Sequence, residues 1–153
     1  MTKTKQAGKT GAAKKAVTGG AGRAESLEGI YFAIEGLLRE HAPPFRTDLQ
    51  YKTGTKKALH LAVPRPVVIP GAYGGKPVDL MLASVILQKG FVGFYMMCIY
   101  MNKGMKEKLP PRLAKALKGK SCFQIKEWDE GLKHDVAAAL EMGRKFYRER
   151  GWV

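Results

Sequence analysis

Between Leu27 and Leu38, the apolar residues Leu27, Ile30, Tyr31, Ile34, Leu37 and Leu38 recur at helical spacing. Ser26 precedes them as a capping residue and Pro43 with Pro44 ends the run, so an amphipathic helix is predicted here. Lys57 to Val63 and Val67 to Ile69 read as short strands. Pro64, Pro66 and Pro70 around them point to an edge or irregular segment, followed by a loop from Gly71 to Pro77.

Two long apolar runs come next, "VDLMLASVILQ" (Val78 to Gln88) and "FVGFYMMCIYM" (Phe91 to Met101), separated by Lys89 and Gly90. Their branched and aromatic content around a short Gly-containing break predicts an antiparallel hairpin at the centre of the fold. Pro110 and Pro111 can open a short helix through Arg112 to Lys118 with Gly119 as its C-terminal stop, and Ser121 to Lys126 reads as a strand. Asp129 then caps a last helix with the stripe Leu132, Val136, Ala139, Leu140, Gly143 and Phe146. The expected class is α+β: a single antiparallel sheet with an N-terminal, a short middle and a C-terminal helix packed on it.

Both alternating faces of the hairpin are apolar. Met81, Ala83, Val85 and Leu87 oppose Leu80, Leu82 and Ile86, while Phe94, Met96 and Cys98 oppose Phe91, Tyr95, Met97 and Ile99. Helices cover one side only, so the other must meet the chain's own proline-rich segment, a second copy in a homodimer, or a small apolar ligand. Met96, Met97 and Met101 suit an adaptable contact surface. Lys89, Tyr95, Lys120 and Ser121 border or interrupt the apolar runs and, with Met97, are the candidate ligand-binding residues.

Composition adds a second feature. The chain has 153 residues, 45% hydrophobic, enough for one domain with a genuine core. Residues 1–23 carry six of its 27 Lys and Arg residues, with no acidic or aromatic residue, and account for +6 of the formal +14, leaving +8 on the body. Such a stretch cannot bury enough apolar surface to offset its ordering entropy. The expected organisation is therefore a disordered basic tail, 1–23, and one domain, 24–153. The tail's lysines suit weak, sequence-independent contact with nucleic acid or anionic lipid. No run of the sequence reads as a membrane span or a secretory signal, which gives a cytoplasmic expectation.

Catalytic and metal chemistry leave no mark. Gly119-Lys120-Ser121 matches the end of a phosphate loop, but Ala114 stands where the first glycine belongs and the order is helix to strand. His41, His60 and His134 show no zinc-ligand spacing, and Cys98 and Cys122 sit in apolar runs as reduced thiols. Ser84 and Ser121 lack the Gly-flanked nucleophile elbow, and Asp79, Asp129 and Glu130 form no legible carboxylate pair. A non-enzymatic binding or carrier domain is the leading expectation. The alternative is an enzyme whose site assembles from distant residues around Tyr95, Lys120 and Cys122.

Three blocks, "LASVILQKGFVGFYMMCIYMN", "LKGKSCFQIK" and "ALEMGRKFYRERGWV", resemble in order and spacing the YdhG-like family of small bacterial domains of unknown function. The resemblance covers Met81 to Val153 well and the preceding helix and proline-rich region loosely. It implies an α+β fold, frataxin-like in outline, and, through one member regarded as an iron chaperone, iron as a candidate cargo. Members often carry His where this chain has Gln124, and an acidic, proline-containing turn where it has Asn102, Lys103 and Gly104. Iron prefers carboxylate oxygen, which here points to Glu28 and Glu35 beside Glu25 and Glu40, a thin cluster on a basic body.

Overall fold

The computed structural model describes residues 26–50 and 57–153. The basic segment 1–23 and Glu25 lie outside them. The first helix, α1 (Leu27–Arg39), begins where Ser26 accepts a hydrogen bond from the Gly29 amide at 2.9 Å, and it buries Ile30, Tyr31, Ile34, Leu37 and Leu38. The last, α5 (Glu130–Glu149), begins at Asp129, whose carboxylate accepts from the Leu132 amide at 2.8 Å, and it buries Val136, Ala139, Leu140, Gly143 and Tyr147.

Between them a five-stranded antiparallel sheet runs in the order β1-β4-β5-β7-β6, formed by β1 (Ala58–Ala62), β4 (Met81–Leu87), β5 (Val92–Met96), β6 (Leu117–Lys118) and β7 (Cys122–Ile125). A second, two-stranded sheet pairs β2 (Val67–Val68), the short strand expected in the proline-rich stretch, with β3 (Pro77–Val78), so Pro77 leaves the expected loop for a strand. The fold is α+β, with α1 and α5 packed on the large sheet.

Alternation along each strand assigns the two faces. Val85, Phe94 and Phe123 are register partners with no exposure, and Met96, two residues after Phe94, lies against α5. These side chains form the helix-covered core, each worth roughly 1.5–3 kcal/mol on burial. Tyr95 and Ser84, one residue out of phase, therefore face away from the helices.

Three expectations need correction. The second arm of the hairpin is not a strand to Met101: after Met96 the chain turns into a short helix, α2 (Met97–Met101), then α3 (Lys103–Lys106). An apolar run without polar punctuation carries no period to separate strand from helix. The middle helix, α4 (Pro111–Lys115), is shorter than expected, because Leu117 and Lys118 pair with β7 as an edge strand. Gly119 (φ 73°) is consequently not a helix cap but part of the tight β6–β7 turn with Lys120 and Ser121. The phosphate-loop arrangement of strand, loop and helix is absent at this triplet.

Candidate functional site

The face of the sheet opposite α1 and α5 holds a cavity of about 300 Å³ lined by His60, Met81, Ser84, Ile86, Tyr95, Met97 and Ser121. Strand register builds it. His60 pairs with Ser84, Ser84 with Tyr95, and Tyr95 with Cys122, so one polar row crosses four residues of adjacent strands on this face. A bulge adds the apolar wall: Leu61 pairs with Ala83 and Ala62 with Met81, which leaves Leu82 unpaired. The extra residue reverses the alternation and brings Met81 to the face of Ser84.

The polar row crosses the cavity wall between Ile86 and the two methionines. The His60 imidazole and Ser84 hydroxyl are 2.8 Å apart, Nδ1 to Oγ, and the Ser84 hydroxyl also reaches the Met81 sulfur at 3.2 Å. Both residues are buried, with exposures of 6% and 3%. Burial holds the His60 imidazole below its ordinary value, so the ring is neutral at pH 7. The Tyr95 phenol is pushed up by burial and by the neighbouring Cys122 thiol, with Gln88, which donates to its oxygen at 3.3 Å, acting against this. Tyr95 lies over Gly93: a Cβ there would stand 2.8 Å from the tyrosine ring, so glycine is what lets the ring lie flat on the strand.

The expected site residues divide. Tyr95, Met97 and Ser121 all line the cavity. Lys89 is exposed in the β4–β5 turn, at the opposite end of the hairpin from Met81 and Met97. Lys120 is exposed beside Ser121, with its Nζ 5.6 Å from the centre of the Tyr100 ring, outside the cavity. The Tyr95, Lys120 and Cys122 grouping is thus split, with only Tyr95 and Cys122 adjacent.

Sequence reasoning passed over His60 and Ser84. Both stood in expected strands, but the register between β1 and β4 depends on the intervening 63–80 segment, whose small sheet no local pattern announces. Only an alternating polar residue inside each apolar run hinted at them.

The chain matches no family model, no curated protein and no solved structure. Among the described residues no group of three or more His, Cys, Asp or Glu side chains is placed to hold a metal ion. Glu35 is engaged by Arg39 at 3.6 Å and accepts from the Tyr31 hydroxyl at 3.3 Å, while Glu28 is exposed. Both cysteines are free, and burial pushes the Cys98 thiol up to about 12, which makes it an inert core group. No helix among the described residues is long and apolar enough to cross a membrane.

Proposed function

We propose that this is a non-enzymatic binding or carrier domain whose sheet face opposite α1 and α5 holds a small, largely apolar ligand. The supporting observation is the combination of apolar walls, Met81, Ile86 and Met97, with a polar row, His60, Ser84 and Tyr95, and the Ser121 side chain. Apolar surface supplies affinity and a few convergent polar groups fix orientation. A hydroxyl or carbonyl on the ligand would meet donors and acceptors already held in place by strand register. Among the described residues, the proline-rich segment contributes nothing to the lining and borders a different groove.

A neutral apolar fluorophore, N-phenyl-1-naphthylamine, tests the reading. The full chain is expected to raise its emission saturably, and Ile86→Trp, which fills the cavity from its half-exposed edge, is expected to weaken binding about tenfold. Equal binding by the folded variant would refute the assignment.

A second reading has one specific observation behind it, the His60–Ser84 pair. A neutral imidazole against a serine hydroxyl is the first link of an acyl-transfer site. A stable fluorophosphonate adduct on Ser84 would favour this reading over the carrier.

A further inference from the structure

A second groove, of about 560 Å³, lies between the proline-rich loop and the C-terminal end of α5, and among the described residues only Met97 is common to it and the sheet-face cavity. Its floor is buried Leu80 and Trp152. At its margins stand Tyr73 and Tyr100, 59% and 56% exposed, which are among the few large apolar side chains on the surface.

Neither tyrosine is placed at random. Tyr73 is the one non-glycine at positive φ (54°) among the described residues, set between Gly71 and Gly74, both also left-handed. Holding a bulky residue there is strained in a way that glycine would avoid, so the loop keeps an aromatic ring at the groove's edge against a local penalty. Tyr100 is carried by α2, the short helix that replaces the end of the second hairpin strand.

Cations stand over Tyr100 and over Phe146, which also lines the groove. The Lys120 Nζ lies 5.6 Å from the centre of Tyr100, and the Arg150 guanidinium stacks on Phe146 at 4.6 Å and lines the groove. Among the described residues neither cation has an acidic partner within ion-pair distance, and no lining residue is acidic. The chain as a whole carries +14.

We propose that this groove binds single-stranded nucleic acid, with bases stacking on Tyr73 and Tyr100 and phosphates taken by Arg150 and Lys120. Exposed rings with cations nearby that have no acidic partner are the combination that an unpaired strand uses, because every base has a stacking face and every linkage a negative charge. The net charge favours a polyanion over a free nucleotide, since it draws the strand in at long range. Duplex DNA offers no free base faces and gains only the charge contribution. The site differs from the basic N-terminal segment in needing aromatic rings.

Fluorescence anisotropy of a labelled twelve-nucleotide pyrimidine strand, titrated with the full chain, tests the proposal. Tyr73→Ala with Tyr100→Ala is expected to weaken binding about tenfold or more, in line with the stacking contribution per base, without changing the salt dependence. Tyr73→Phe with Tyr100→Phe keeps the rings and is expected to bind as the parent does. Arg150→Gln with Lys120→Gln is expected to lower the slope of log affinity against log salt by about 1.4, two contacts at roughly 0.7 each. Parent-like binding by the folded alanine pair, or no binding by the parent, would overturn the proposal. So would a free pyrimidine nucleotide competing as well per mole as the strand.

Discussion

Tyr147 shows how one side chain can fix two elements at once. It has no exposure, its ring packs edge-on against Trp152 at 5.3 Å, and its hydroxyl donates to the Met81 carbonyl at 2.6 Å. The C-terminal turn of α5 is thereby tied to the bulge that brings Met81 to the cavity. Burial pushes the Tyr147 phenol up, so it stays a neutral donor at any ordinary pH. His60 is the residue at which pH acts on the cavity. Its native pKa is held below the ordinary 6.5 by burial, so the unfolded chain binds more protons once pH falls to about that point. Stability is therefore full above about pH 6.5 and is lost on acidification below it. Urea midpoints measured at about pH 7.5 and 5.5 are expected to fall less for His60→Gln than for the parent. His41, also held down chiefly by burial, supplies part of the fall that remains. Equal losses in the two proteins would exclude His60 as a source.

At the level of elements, the contact between α5 and the sheet depends on the absence of a side chain. A Cβ at Gly143 would lie 2.9 Å from Leu82 Cδ1 and Met96 Cε and 3.1 Å from Cys98 Sγ. Leu82, Met96 and Cys98 are all without exposure, so their tips have nowhere to retreat. Gly36 on α1 is the counterpart, exposed and with nothing within 4 Å of its would-be Cβ. Alanine favours a helix over glycine by roughly 1 kcal/mol, and forcing a methyl into a filled core costs about 1–3 kcal/mol. Gly36→Ala is therefore expected to raise stability by up to about 1 kcal/mol, and Gly143→Ala to lower it by about 1 kcal/mol net. Chemical denaturation of both variants checks this, and a gain in both would mean that α5 moves outward without penalty. Gly93→Ala differs again, because the atom it would strike is the half-buried ring of Tyr95 rather than the core, and its effect should appear in ligand binding before stability.

At the level of the whole molecule, charge and shape separate two kinds of nucleic-acid contact. Residues 1–23 carry six cations and no anion, so a strand would meet them through charge only, whereas the proposed groove site would add ring stacking. Deleting residues 1–23 is expected to flatten the salt dependence of strand binding by up to about 4, six contacts at about 0.7 each, while binding keeps its dependence on Tyr73 and Tyr100. Anisotropy at several salt concentrations measures both. A truncated chain indifferent to the tyrosines would assign all the affinity to charge.

The two long helices, their caps at Ser26 and Asp129, the central hairpin around Lys89 and Gly90, and the α+β class were legible in the sequence. Each rests on interactions among residues a few positions apart: side-chain oxygens over a first helical turn, apolar spacing along one face, and a glycine at a turn. The sequence also identified Tyr95, Met97 and Ser121 as candidates, through polar interruptions and methionines in apolar runs, but not that they share a cavity. Tertiary structure decided where the second strand stops, which face Met81 joins, and that His60 lies 2.8 Å from Ser84 across 24 positions of chain. It likewise decided that Lys120 turns to Tyr100 and that Tyr73, from a loop, meets Trp152 from the C-terminus across one groove. The physical reason is register. A one-residue bulge or an early strand end reverses which side chains share a face, at a cost too small to mark the local sequence, because the pairing partners that fix it lie far along the chain.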